Sequence, residues 1–71
     1  MKYDAASHAI VCAGDFASGT TATLYNMGGL TLGTAAAEDG IIALPAGNLP
    51  QGSYLVVIRG GEGEYVYKIA L

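Results

Sequence analysis

Residues 49–71 read LPQGSYLVVIRGGEGEYVYKIAL, and this stretch decides the fold. It holds two runs, Ser53–Arg59 (SYLVVIR) and Glu64–Leu71 (EYVYKIAL), separated by glycines. Side chains along a strand alternate between its two faces. Tyr54, Val56 and Ile58 therefore share one face of the first run, and Leu55, Val57 and Arg59 the other. Being apolar on both faces up to Arg59, that run fits a central strand. In the second run Tyr65, Tyr67, Ile69 and Leu71 oppose Val66, Lys68 and Ala70. Lys68 seeks water, which sets Tyr67, Ile69 and Leu71 inward. Glycine reaches positive φ without steric cost, so Gly60-Gly61-Glu62-Gly63 predicts a hairpin loop between the runs.

The same alternation and punctuation continue upstream. Apolar and β-branched runs occupy His8–Ala13 (HAIVCA), Thr21–Asn26 (TATLYN), Leu30–Ala36 and Gly40–Leu44, with glycine between them. In Thr21–Asn26, Ala22 and Leu24 share one face, Thr23 and Tyr25 the other. Six short strands at this spacing predict an all-β chain folded as a sandwich or small barrel. Only TAAAED, residues 34–39, has helical composition, and it is too short to stand alone as a helix.

Composition narrows the function. The 71 residues make one domain, 1–71, with 52% hydrophobic and 13% charged residues. The net charge is −3, and Lys2, Arg59 and Lys68 are the only cations besides His8. With no basic patch, a nucleic-acid partner is excluded on electrostatic grounds. The single cysteine, Cys12, excludes an internal disulfide and a thiolate metal cluster. No run reaches the roughly 20 apolar residues of a spanning helix. MKYDAASHAI lacks the apolar stretch of a secretory signal, so the expectation is a cytoplasmic chain or a mature or excised piece of a larger one.

The reactive side chains point the same way. His8 and Cys12, if both lie on one strand, are ~13 Å apart at ~3.3 Å per residue, beyond hydrogen-bonding reach. Cys12 reads as a buried strand residue, and His8 as a surface residue with no second histidine to share a metal. Glu38-Asp39 before Gly40, Glu62 and Glu64 around Gly63, and Asp15 after Gly14 read as solvated turn acids. Neither NMGGLTLG nor GGEGEY matches a phosphate loop. Tyr54 and Tyr67 read as core. The expectation is a protein that is not an enzyme, with no catalytic, cofactor-binding or metal residues and no cofactor.

Three stretches together resemble a known family. They are LYNMGGLTL, in which a strand ends at Tyr25-Asn26 before Gly29; NLPQGSYLVVI, or Leu49-Pro50-x-Gly52-x-Tyr54-x-Val56-x-Ile58; and the final YKIAL. In this order and spacing, over Thr23–Leu71, they resemble the C-terminal sorting domain of type IX secretion cargo proteins from Bacteroidetes. Leu30 stands where that family often has arginine, and MKYDAASHAIVCAG replaces its usual opening. Each motif also has a physical reading. Pro50 presets φ for a turn in which Gly52 takes the positive-φ position, and Asn26–Gly29 forms a hairpin connection.

The resemblance implies a small Ig-like antiparallel β-sandwich of six or seven strands, forming the C-terminal piece of a larger exported protein. It implies an address rather than a catalyst. The domain would follow an N-terminal cargo domain through the periplasm to the cell surface or the medium. The outer-membrane secretion machinery would recognise it, and a sortase-like peptidase would remove it. By that similarity Lys68, Ile69, Ala70 and Leu71 are the recognised end, while Gly29, Gly52 and Tyr54 hold the fold. The competing expectation is an Ig-like accessory or adhesion module that packs through the face of Leu55 and Val57. A homodimer through the exposed apolar strand face is a further expectation.

Overall fold

The computed structural model describes residues 2–14, 16–47, 49–61 and 63–71, with Lys2 described by its backbone alone. Asp15 and Glu62, read above as turn acids, lie outside the described residues. Seven strands form: β1 (Lys2–Asp4), β2 (Ala9–Ala13), β3 (Thr21–Asn26), β4 (Thr31–Ala36), β5 (Ile41–Pro45), β6 (Ser53–Gly60) and β7 (Gly63–Ala70). They make two antiparallel sheets, β1-β2-β5 and β4-β3-β6-β7. The chain is therefore an all-β sandwich of Ig-like type. Relative to the constant-type immunoglobulin arrangement, the fourth strand has moved to the sheet of the third.

β6 is central, flanked by β3 and β7, as its two apolar faces require. Its inward set Tyr54, Val56 and Ile58 meets Ala22 and Leu24 of β3 and, across the sandwich, Ile10 and Cys12 of β2 and Ile42 and Leu44 of β5. Ile10, Leu24, Ile42, Leu44 and Val56 are fully buried. Phe16, Leu32, Leu49, Ile69 and Leu71 close the margins of this core.

The turns follow local chemistry. Asn26 caps the β3–β4 hairpin: its side-chain oxygen accepts from the Gly28 and Leu30 N–H groups, both at 2.9 Å. Gly29 sits there at φ 90°, a conformation that costs a side-chain-bearing residue. Between the sheets, Glu38 and Ile41 exchange backbone bonds of 2.8 and 2.9 Å around Asp39 (φ 52°) and Gly40 (φ 79°). These dihedrals are those of a type I′ turn, for which Asp-Gly is a preferred pair. A Cβ on Gly40 would lie 2.6 Å from the Gly14 carbonyl oxygen, so glycine is required there twice over.

Two points need correction. β1 was not foreseen, because Lys2-Tyr3-Asp4 carries no apolar alternation and is held only by pairing with Ala9–Val11. His8 lies outside β2, in the preceding turn at φ 53°, so it shares no strand with Cys12. As their length implied, residues 34–39 give no helix: Thr34–Ala36 belong to β4, whose pairing to β3 outweighs alanine's local preference.

In a domain of this size, removing part of the core is severe. Leu24→Ala is expected to cost about 3 kcal/mol. Urea unfolding followed by circular dichroism would show a large drop in midpoint with little change in slope.

Candidate functional site

Of the residues assigned to recognition, Lys68, Ile69 and Ala70 lie on β7, an edge strand of the larger sheet, and Leu71 directly follows it. β7 pairs with β6 without a bulge from Gly63↔Gly60 to Ala70↔Ser53. Beyond the strand, Leu71 and Gly52 exchange both main-chain bonds, at 2.9 and 3.3 Å. Antiparallel pairs alternate between hydrogen-bonded and non-hydrogen-bonded. Counting back from Leu71, residues 63, 65, 67 and 69 bond to β6. Glu64, Val66, Lys68 and Ala70 therefore aim their N–H and C=O groups at the free edge.

This geometry divides the sequence-predicted set. Lys68 and Ala70 are exposed, with main-chain groups directed outward. Ile69 and Leu71 are half-buried and pack against the core. The four residues are one continuous segment, but only two belong to the presented edge. Tyr67 corrects a prediction: it stands opposite Val56 on the inward side, yet is 46% exposed, and Tyr65 is 55% exposed. Of the inward-facing β7 residues only Ile69, with Leu71 beyond the strand, packs against the core cluster.

Gly52 has the positive φ expected of it, 157°, a value that residues with side chains rarely adopt. It also forms the final pair of the β6–β7 ladder with Leu71. Tyr54 secures the turn as well. Its hydroxyl donates to the Pro50 carbonyl oxygen at 2.6 Å, four residues upstream. A buried tyrosine at the start of the sixth strand, bonded back to the preceding corner, is the tyrosine corner of Ig-like sandwiches. The Leu49-Pro50-x-Gly52-x-Tyr54 motif is thus a device for the corner between β5 and β6.

Around β7 the outer face carries charge. Arg59 Nε donates to Glu64 Oε2 at 2.6 Å between directly opposed residues. This hydrogen bond and the Glu64 charge raise the Arg59 pKa further, with Tyr25 adding a smaller effect in the same direction. Both partners are more than half exposed, so the pair fixes geometry more than it stabilises. The Leu55–Val57 face offers little to a partner: Val57 is buried among its own neighbours and Leu55 is half-buried.

Away from β7, no catalytic constellation forms among the described residues. The Cys12 thiol is buried, and burial raises its pKa. His8 is exposed, and its Nδ1 lies 3.3 Å from the Tyr3 hydroxyl. No three histidine, cysteine, aspartate or glutamate side chains converge among the described residues. A shallow cavity of about 210 Å³ lined by Phe16, Thr20, Ile58 and Tyr65 opens at one end of the sandwich. Among the described residues that line it, the Tyr65 phenol is the one ionisable group. Comparison with family models, curated proteins and solved structures returns no match.

Glu64, Val66, Tyr65 and Tyr67 were missed as edge residues. Which residues face outward follows from the pairing parity, which becomes readable once Leu71 is set against Gly52.

Two outcomes follow from this geometry. Tyr54→Phe is expected to destabilise the fold by about 1 kcal/mol through loss of the corner hydrogen bond, measurable by urea unfolding. Cys12 is expected to react with a thiol reagent only at the rate of global unfolding; rapid labelling of the native protein would contradict its burial.

Proposed function

We propose that this domain is a non-catalytic recognition module, read through its last strand by strand addition. The observation that carries the reading is the free edge of β7. Four successive alternate residues, from Glu64 to Ala70, direct main-chain groups outward with no strand beside them. A partner that adds a strand there gains main-chain hydrogen bonds, and alternate side chains supply selectivity. Val66 and Lys68 would be read on one face, Tyr65 and Tyr67 on the other. Ile69 and Leu71, held by the core, fix the strand so that its ordering cost is met before the partner arrives.

The resemblance to type IX sorting domains gives this edge a specific reader. On that reading the module follows an exported cargo domain through the periplasm. The outer-membrane machinery engages β7, and a sortase-like peptidase then separates domain from cargo at the cell surface. The tyrosine corner supports the motif-level likeness, because it gives Leu49-Pro50-x-Gly52-x-Tyr54 a structural purpose. Lys68 would supply the charge contact of the recognised segment.

The test is export of a fluorescent reporter, carrying a signal peptide, fused ahead of residues 1–71 in a bacterium with a working type IX system. Deleting Lys68–Leu71 would also remove core side chains, so edge variants are the better probes. Val66→Pro removes an outward N–H while leaving the β6 ladder intact, which an edge strand tolerates. It is expected to hold the reporter in the periplasm. Thr34→Pro, at an exposed position on the opposite edge of the same sheet, is expected to leave export unchanged. Export of the Val66→Pro fusion at the unaltered level would sink the reading.

A further inference from the structure

The free edge of β7 is complementary to itself. When two copies of a strand pair antiparallel about a two-fold axis, residues with outward main-chain groups must face each other. On β7 these are Glu64, Val66, Lys68 and Ala70. Centring the axis on Val66 sets Glu64 of each copy against Lys68 of the other, and Val66 against Val66. The alternatives are worse. Centring on Lys68 or on Glu64 opposes like charges, and centring on Tyr67 or Tyr65 leaves Glu64 facing Ala70 or Val66.

The Val66-centred register also resolves both faces. On the outer face the order across the seam becomes Arg59, Glu64, then Lys68 of the second copy. The carboxylate that already accepts from Arg59 would lie between two cations. On the inner face Tyr65 meets Tyr67 of the second copy in a non-hydrogen-bonded pair, where side chains approach most closely. Cross-strand aromatic pairs of this kind are favourable. Tyr65, Val66 and Tyr67, now 55%, 58% and 46% exposed, are the residues covered.

We infer that two copies of this chain associate edge to edge through β7, in the register that pairs Glu64 with Lys68, joining the two larger sheets into one. This differs from packing through the Leu55–Val57 face and does not rest on the sorting reading. Where both hold, self-pairing and reader compete for one edge, and the monomer is the form that is read.

Analytical ultracentrifugation over a concentration series tests it. The unaltered chain is expected to show a monomer–dimer equilibrium. Lys68→Glu and Glu64→Lys, each alone, are expected to raise the dissociation constant about tenfold or more, since opposed charges become like charges. An equimolar mixture of the two variants restores both pairs and is expected to regain dimer as a heterodimer, which also shows that both variants fold. Val66→Pro is expected to abolish dimer while retaining the strand spectrum by circular dichroism. A chain that stays monomeric throughout overturns the inference. So does a dimer indifferent to these substitutions, or a mixture no tighter than its components.

Discussion

Everything in this domain is registered on β6, the one strand that must satisfy neighbours on both edges and both faces at once. Its inward residues Tyr54, Val56 and Ile58 fill the gap to Ile42 and Leu44 of the opposing sheet. Its outward residue Val57 is buried beneath its sheet neighbours. A slip of one residue in β6 would exchange the two sets, placing Arg59 in the core and Ile58 in water. The tyrosine corner blocks such a slip by tying Tyr54 to Pro50 where the strand begins. At the other end Gly60 pairs with Gly63 and closes the hairpin. The register of β7 follows from that hairpin, and with it the identity of the residues on the free edge.

A long edge strand is an aggregation hazard, and proteins commonly blunt it with charge. β7 carries two charges, Glu64 and Lys68, spaced so that they oppose in the Val66-centred antiparallel pair, whereas centring on Glu64 or Lys68 opposes like charges. On the inferred edge-to-edge pairing, charge would select among contacts as well as discourage them. Tyr65 and Tyr67 add to this by remaining about half exposed. A third neighbour over them would have made β7 an ordinary member of the core.

Much of the fold was legible because period-two alternation is strong in the runs that became β3, β6 and β7. Cys12 as a core residue, the centrality of β6 and the Gly60–Gly63 hairpin were readable from residue type alone. β1 was not, since Lys2-Tyr3-Asp4 owes its strand form to a partner. The helical composition of 34–39 did not mislead, because the stretch is too short for a stable helix and Thr34–Ala36 join the β4 ladder. The positive φ expected at Gly52 is present, and the pairing of Gly52 with Leu71 at the end of the β6–β7 ladder was not legible locally.

The sequence by itself determined the fold class, the inward set of β6 and the position of the two charges on one face of the last strand. These depend on local alternation, which one chain segment contains in full. Only the tertiary structure decided that Tyr67 is exposed while Tyr54 is buried. The two share one side of the same sheet, but Tyr54 stands in the core on the central strand β6, whereas Tyr67 stands on the edge strand β7 and outside the core cluster. It also decided which alternate residues of β7 offer their main-chain groups to a partner. That parity depends on which pairs of the β6–β7 ladder are hydrogen-bonded, a relation between two segments that neither segment carries alone.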